Sequence, residues 1–161
     1  MISEKMVASI NDQIKAELDS AYLYLAMSAW FEDKNLKGMA HWMRKQSKEE
    51  VEHAEKFMEH LYDRGARVEL FEVAKPAKDF EGPLAVFKAA LKHEQYVTAR
   101  INKMMDLACE EKDYASQSLL KWYIDEQVEE EASAEEIVNK IEFLAGSNSA
   151  MYFLDKELGA R

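Results

Sequence analysis

Residues 39–61 read MAHWMRKQSKEEVEHAEKFMEHL, a stretch whose apolar positions follow helical spacing. The apolar line consists of Met39, Met43, Phe57 and Leu61. Glu50 and His53 fall on the same line, since steps of three and four residues mark one face of a helix. A buried carboxylate without a partner costs several kcal/mol or takes up a proton. The stretch therefore predicts a core helix in which Glu50 requires a partner.

Three further segments carry polar residues in the helix face that should be apolar. These residues are Glu17 in the first segment, Glu94 in the third, and Gln127 with Glu130 in the fourth. Each acid, like Glu50, lies within about one helical turn, about 5.4 Å, of the middle of its predicted helix. Antiparallel helices share a midplane, so the four carboxylates are expected to meet at one level. Four acids in one core are tolerable only around a cation, and this indicates a metal site inside a helical bundle.

The predicted fold class is all-α, a four-helix bundle with one long crossover and a short C-terminal fifth helix. The predicted helices cover about residues 3–33, 39–64, 83–111, 114–145 and 148–158, within a single domain of residues 1–161. Their boundary signals are the N-caps Ser3 and Asp113, the terminating Gly65 and Gly146, and Pro83 at a first helical position. A short turn over residues 33–38 makes the first two helices antiparallel. The connection over residues 66–82 is long enough to run the length of the bundle.

Composition limits the class of partner. The chain of 161 residues has a formal net charge of -10, which argues against nucleic acid or an anionic membrane and suits a protein that attracts cations. The single cysteine, Cys109, forms no disulfide within the chain and is expected to be a small buried apolar residue. Residues 1–20 lack the apolar core of a signal peptide, and no apolar run approaches the roughly 18–20 residues that span a bilayer. We therefore expect a soluble, cytoplasmic protein.

The residue types indicate which metal the site would hold. Glu50 and His53 place a carboxylate and an imidazole on one helix face, although exposed pairs of this kind are common. Carboxylate oxygens with one imidazole nitrogen suit iron or manganese, and the cysteine-rich ligand set of structural zinc is absent from the sequence. Glu50 is placed to bridge two ions. Glu17 and His53 would complete one position, and Glu94 and Glu130 the other, as in the known di-iron helical bundles.

The same residues carry a family resemblance. The matching features are Glu17 with Tyr24, the Glu50-x-x-His53 pair, Glu94, and the run WYIDEQVEE at residues 122–130. On these features the chain resembles the bacterial non-haem ferritins over essentially all 161 residues. The resemblance implies a ferritin-like bundle with a ferroxidase centre that oxidises Fe(II) with dioxygen or peroxide. It also implies a homo-oligomeric hollow shell of twenty-four subunits that stores ferric mineral.

The resemblance further implies three iron positions. Glu17, Glu50 and His53 would hold the first iron, Glu50, Glu94 and Glu130 the second, and Glu49, Glu126, Glu129 and Glu130 the third. Gln127 would line the centre and help to position dioxygen. Tyr24 and Trp122 would lie beside it as candidate redox participants, although packing is the ordinary role of such a tryptophan. The acidic run 126–131 has an ordinary alternative too, because such runs commonly form a solvated helix face.

Two departures separate this chain from related di-iron bundles. A symmetrical centre, as in bacterioferritin, repeats Glu-x-x-His on the fourth helix, where this chain has Gln127-x-x-Glu130. Val51 stands where bacterioferritin has its haem-ligating methionine, so no haem is expected.

Two other classes of function compete with this interpretation. A helical interaction protein would use its acids only in salt bridges, but too few lysines and arginines occupy the same helix faces. A di-iron oxidoreductase would act on an organic substrate or on peroxide. Glu126 and Glu129 argue against it, because a third cation site beside the centre suits iron uptake better.

Overall fold

The computed structural model describes residues 1–144 and 146–161. Over these residues the chain forms five helices and no strand. None of the described helices combines the length and the apolar character that a membrane span requires. The helices are α1 (Glu4–Asp33), α2 (Lys37–Asp63), α3 (Pro83–Glu110), α4 (Tyr114–Phe143) and α5 (Asn148–Leu158). The connection over residues 66–82 contains no helix, as expected. The predicted all-α fold class is confirmed.

Helix starts follow the predicted signals. The Ser3 side chain accepts a hydrogen bond from the backbone N–H of Met6 at 3.0 Å, at the start of α1. Asp113 accepts from the backbone N–H of Ser116 at 3.2 Å, at the start of α4. Both side chains satisfy N–H groups that have no partner inside the helix. Pro83 is the first residue of α3, where its missing N–H costs nothing.

Glycine follows the ends of α2 and α4. Gly65 has a φ of 67° and Gly146 a φ of 88°. This left-handed geometry is open to glycine without the penalty that a side chain would bring. The fourth helix was expected to reach about Ala145, which lies outside the described residues, and α4 ends at Phe143.

The predicted turn over residues 33–38 is wrong at its C-terminal end. The helix α2 begins at Lys37, so Gly38 lies inside the helix and not in the turn. Asn35 takes the left-handed conformation instead, with a φ of 57°, which asparagine adopts more readily than most residues. Gly38 serves packing, because a Cβ there would lie 1.6 Å from the backbone oxygen of Asp155 in α5. A glycine that resembled a turn signal is thus required by a contact distant in sequence.

The helix α5 docks on the start of α2. Leu36, at the N-cap position of α2, makes no side-chain capping bond. Asp155 supplies that cap from α5, because its Oδ1 accepts from the backbone N–H of Met39 at 2.9 Å. A carboxylate is favoured at this end of a helix, where unpaired N–H groups carry partial positive charge. Leu154 and Leu158 are buried against the bundle, so α5 is an integral part of the core.

Two apolar clusters fill the bundle and show the direction of each helix. One cluster includes Tyr24, Phe31, Met39, Met43, Val86, Phe87, Ile137 and Ile141. The other includes Met6, Ile14, Phe57, Leu61, Val97, Ile101, Leu120 and Tyr123. Along the chain, α1 and α4 pass from the second cluster to the first, whereas α2 and α3 pass from the first to the second. The long connection therefore joins two helices that run in the same direction, and each predicted acid lies between the clusters.

Cys109 is exposed, so its predicted burial is wrong. Its neighbour Ala108 is fully buried in the second cluster. Successive residues of a helix point about 100° apart, so placing Ala108 in the core turns Cys109 toward solvent.

We predict that Gly38→Ala weakens the docking of α5, because the added methyl group meets backbone rather than a flexible side chain. The expected loss is about 1–3 kcal/mol in the free energy of unfolding, with faster hydrogen exchange over residues 148–158. Gly82→Ala is the matched control, since Gly82 is extended and a Cβ there meets nothing within 4 Å. Parent-like exchange and stability in Gly38→Ala would show that the close contact carries no constraint.

Candidate metal centre

Side chains from α1 and α2 form a buried cluster between the two apolar regions. Glu17, Glu50 and His53 each offer a ligand atom, and these atoms lie within 4.8 Å of one another. The exposed fractions of the three residues are only 1%, 2% and 5%. Nδ1 of His53 lies 3.5 Å from Oε2 of Glu50. The structure thus brings together the three residues that were expected around the first iron.

A second group of candidate ligands also includes the imidazole of His53. His53, Glu126 and Glu130 offer ligand atoms that also lie within 4.8 Å of one another. Glu130 is buried and Glu126 is half-buried. The resemblance implied that these two acids face a third iron without an imidazole, so the proximity of His53 is a difference from that expectation.

Glu94 is buried on α3 and is held by two other predicted site residues. Its Oε1 accepts a hydrogen bond from the hydroxyl of Tyr24, and its Oε2 accepts from Nε2 of Gln127 at 3.1 Å. Gln127 also lies 3.2 Å from the backbone oxygen of Glu94. Burial raises the pKa of Glu50, and the charge of Glu94 raises it further. Among the described residues, Glu94 is nevertheless outside the two ligand clusters.

Two acids expected around the third iron lie apart from these clusters. Glu49 is half-buried, and its Oε2 accepts from Nη2 of Arg161 at 2.7 Å. Glu129 is exposed. Within the part of the chain that the structure describes, neither residue joins a group of three ligand atoms. Of the expected third set, the structure clusters only Glu126 and Glu130.

Aromatic rings surround His53. The ring of Trp122 meets the imidazole edge-on, with centroids 5.5 Å apart. The hydroxyl of Tyr123 donates to the backbone oxygen of His53 at 2.6 Å, and its ring stacks on Phe57 at 4.0 Å. Trp122 also faces solvent, with Nζ of Lys56 4.3 Å from its ring centre. These contacts fix the imidazole on one side of the cluster.

One oxygen of the centre has no partner. Oε1 of Glu17 accepts from Nε2 of Gln13 at 2.8 Å, but Oε2 is buried without an amide or hydroxyl donor within the described residues, so it needs either a proton shared with Glu50 or a cation. A buried polar atom in this state is costly and rare in native proteins. A cation between Glu17, Glu50 and His53 would satisfy it. Hard carboxylate oxygens with one imidazole are a fitting ligand set for iron.

Burial raises the pKa of each of the four carboxyl groups in the layer. The pKa of Glu17 is raised mainly by burial. The pKa of Glu50 lies well above the ordinary range, because the charges of Glu94 and Glu17 add to the effect of burial. The pKa of Glu94 and that of Glu130 rise to about 7, again chiefly through burial. The metal-free centre therefore holds protons that a bound cation would displace.

Two buried glutamines escaped the sequence analysis. Gln13 lies four residues before Glu17 and donates to it at 2.8 Å. Gln46 lies four residues before Glu50 and donates to Oε2 of Glu130 at 2.7 Å. Both glutamines are completely buried. Their helical spacing from predicted ligands was the available signal, because residues four apart share a helix face.

The raised pKa values predict that the metal-free protein loses stability as the pH rises. Near pH 6 the folded chain still holds protons on Glu94 and Glu130, whereas the unfolded chain, with carboxyl pKa values near 4.5, has released them. The free energy of unfolding therefore falls between pH 4.5 and 7. We expect a fall of about 5 kcal/mol from the two groups together, about half of it from each.

Urea unfolding of metal-free parent, Glu94→Gln and Glu130→Gln across this pH range measures the effect. Glutamine keeps the shape of the neutral carboxyl group but does not titrate, so each variant should show a smaller fall than the parent. An equal fall in all three proteins would mean that these carboxyl groups do not titrate there.

Comparison with known proteins identifies relatives over the whole chain. A profile of the family described as Ferritin-like domain matches residues 7–144. The bacterial non-heme ferritin of Bacteroides fragilis strain 638R is 40% identical over 161 residues, and the match covers all of both chains. That of Staphylococcus aureus strain USA300 is 38% identical over 161 residues, covering all of this chain and 97% of the relative.

Solved structures agree with this result. The open pore ferritin of the hyperthermophilic archaeon Archaeoglobus fulgidus superposes with a TM-score of 0.99 at 47% identity, covering 100% of this chain and 99% of that one. A closed form engineered from Archaeoglobus fulgidus ferritin gives a TM-score of 0.98 at 47% identity, covering 100% and 98%. The chain therefore belongs to the ferritin family, and its resemblance to the bacterial non-haem ferritins is confirmed.

Proposed function

We propose that this protein stores iron and detoxifies it. It oxidises Fe(II) with dioxygen or peroxide at a di-iron ferroxidase centre within each subunit, and it deposits ferric oxyhydroxide inside a hollow shell. The observation that carries the proposal is the unpartnered, buried Oε2 of Glu17 beside Glu50 and His53. A cation bound there removes the cost of that oxygen and draws the three ligands together.

Each subunit is proposed to bind two iron ions that share one carboxylate. Glu17, Glu50 and His53 hold the first ion, and Glu50, Glu94 and Glu130 hold the second. The clustering of the first set supports its assignment. The second set is supported by burial, since Glu94 and Glu130 are both buried and lie between the two apolar clusters. A third ion is proposed beside the pair, at Glu49, Glu126, Glu129 and Glu130.

Tyr24 and Gln127 are proposed to serve the second ion through Glu94. Each donates to one oxygen of that carboxylate. An ionised carboxylate oxygen has two lone-pair positions, so a hydrogen bond leaves room for a metal. Gln127 is also proposed to line the centre and to help position dioxygen. Tyr24, with its ring edge-on to His93 at 6.4 Å, is the candidate redox side chain.

The proposed oxidation balances with iron as the substrate. Two Fe(II) ions give up one electron each, and dioxygen takes both electrons with two protons to give hydrogen peroxide. With peroxide as oxidant, two Fe(II) ions and two protons reduce it to two water molecules. Hard carboxylate ligands favour the ferric product. Hydrolysis of Fe(III) then releases protons as the mineral forms, so the protein supplies ligands, spacing and a path while iron does the redox chemistry.

The proposal includes an assembly of twenty-four copies, each a single domain of residues 1–161. Tyr22, Leu25 and Val51 on α1 and α2 are exposed by 48%, 42% and 38%, and together they form an apolar surface. Apolar surface of this kind marks protein contacts. Val51 also offers no sulfur ligand, so the proposed shell contains no haem.

The net charge and the single cysteine support two further proposals, on the class of partner and on the location. A charge of -10 attracts Fe(II) and disfavours nucleic acid or an anionic membrane as a partner. We propose a cytoplasmic location, since a reducing compartment suits a chain whose single cysteine, Cys109, can form no internal disulfide.

A purely structural role for the acids is poorly supported. Among the described residues, no lysine or arginine forms a salt bridge with Glu17, Glu50, Glu94 or Glu130. An interaction protein would need such partners to neutralise the layer. Neutral donors and one imidazole contact it instead, so its charge is offset by protons in the metal-free protein and by a metal when one binds.

We predict that Glu50→Ala and His53→Ala abolish rapid Fe(II) oxidation, because the bridging carboxylate or the imidazole ligand is lost. The measurement is ferric absorbance after Fe(II) is added aerobically to metal-free protein. Glu52→Ala is the matched control, since Glu52 is an exposed glutamate on the same helix. Size-exclusion chromatography should give one large particle for all four proteins. Oxidation at the parent rate in Glu50→Ala would refute the site assignment.

Glu126→Gln is predicted to remove the third ion and keep the first pair. Calorimetric titration of metal-free protein with Zn(II), a redox-inert probe, should show one ion fewer per subunit than the parent, with rapid Fe(II) oxidation retained. Asp125→Asn is the control, because Asp125 is an exposed neighbour on α4. Unchanged Zn(II) stoichiometry in Glu126→Gln would exclude that residue as a ligand.

A further inference from the structure

An arginine reaches Glu17 through a buried glutamine. Nε of Arg100, on α3, donates to Oε1 of Gln13 at 2.8 Å. Nε2 of Gln13, on α1, donates to Oε1 of Glu17 at 2.8 Å. Gln13 is fully buried, whereas the Arg100 side chain is 22% exposed. The three residues form a chain of hydrogen bonds from the bundle surface to a proposed iron ligand.

A second chain of the same kind reaches Glu130. Nη1 of Arg161 donates to Oε1 of Gln46 on α2. Nε2 of Gln46 donates to Oε2 of Glu130 on α4 at 2.7 Å. Gln46 is fully buried, and the Arg161 side chain is 32% exposed. Both chains therefore have the order arginine, glutamine, glutamate, and both end on a ligand of the proposed centre.

The chemistry of these groups fixes the direction of each chain. A guanidinium group donates hydrogen bonds and cannot accept them, so it holds the oxygen of the glutamine amide toward itself. The amide NH2 must then point at the carboxylate. A glutamine free of its arginine could rotate its amide and present oxygen to oxygen, which would repel the carboxylate. The arginine thus determines that the NH2 end of the amide, and not its oxygen, points at the carboxylate of the metal ligand.

Each arginine is itself held in place. Nη2 of Arg100 donates to Oδ2 of Asp12 at 2.7 Å, and its Nη1 donates to the hydroxyl of Tyr96 at 3.2 Å. Arg161 donates to Oε2 of Glu49 at 2.7 Å, and its guanidinium carbon lies 4.8 Å from the ring centre of Trp42. These contacts hold each guanidinium over its glutamine.

We infer that Arg100 and Arg161 are positioning residues, which act through Gln13 and Gln46 to hold Glu17 and Glu130 for metal binding. Each relay occupies one oxygen of its carboxylate and leaves the other for the ion. For Glu17 the free atom is Oε2, the buried oxygen without a partner. The inference rests on the proposed function, because it assumes that both glutamates are ligands.

Titration with Co(II) tests the relays. Co(II) stays divalent in air, and its visible absorbance depends on the ligands around it, so binding is read without iron oxidation. Gln13→Met removes the amide but keeps a side chain of similar length, and it should weaken Co(II) binding about tenfold, the lower end of the usual effect of groups that orient metal ligands. Arg100→Gln should give a similar loss.

A double-mutant cycle separates positioning from general structural support. If Arg100 acts through Gln13, then Arg100→Gln in the Gln13→Met background causes no further loss. Additive losses would overturn the relay, because they mean that the arginine acts by another route. The same cycle applies to Arg161→Gln with Gln46→Met. The partly exposed arginines allow folded single variants even where a glutamine variant fails to fold.

Controls distinguish the relay from the proposed function. Arg64→Gln removes a different arginine, paired with Asp113 at 3.0 Å, and should leave Co(II) binding unchanged. Arg100→Lys keeps a donor and should recover part of the affinity lost in Arg100→Gln. If the parent protein binds no Co(II), or binds it equally well without Glu50, both the proposed function and the relay are overturned. If Co(II) binding depends on Glu50 but the variants at the two arginines and two glutamines keep the parent affinity, only the relay is overturned.

Discussion

The burial of four carboxyl groups in one layer is the constraint to which the rest of the bundle conforms. Glu17, Glu50, Glu94 and Glu130 are each less than a tenth exposed, and a layer of unpaired charges would unfold a small domain. The hydrogen bonds that they receive from side chains come from neutral groups, Gln13, Gln46, Gln127 and Tyr24. Neutral donors orient a carboxylate without cancelling its charge. Burial raises the pKa of all four carboxyl groups, so the metal-free layer holds protons, and a cation can replace those protons.

The fifth helix links the overall fold to this layer. Asp155 caps α2 through Met39, and Gly38 allows the two backbones to meet. The chain that leaves α5 brings Arg161 onto Gln46 and Glu49, within the same helix α2 that carries the proposed bridging ligand. Docking of α5 thus contributes both to the apolar core and to the orientation of groups at the centre. Loss of α5 would remove a helix cap and a guanidinium together.

Local spacing was enough to predict much of this protein, and tertiary contact explains what it missed. The caps at Ser3 and Asp113, and the layer of acids, depend on residues three or four apart, so the sequence alone contains the signal. Gly38 looked like a turn residue because its partner, the backbone of Asp155, lies far along the chain. Cys109 was predicted to be buried, but Ala108, one residue earlier in the same helix, faces the core and Cys109 faces solvent. The arginines of the relays bond across helices, and no local pattern marks such contacts.

The electrostatics of the layer suit an ion that is a substrate rather than a resident cofactor. Carboxyl groups whose pKa is near 7, as for Glu94 and Glu130, give up protons when a cation binds and recover them when it leaves. Proton competition therefore weakens binding at neutral pH compared with a fully ionised cluster. The fourth helix has Gln127 where a symmetrical centre would place a glutamate, and Glu130 where it would place a second histidine. The two proposed iron positions thus differ in their ligands, because only the first includes an imidazole.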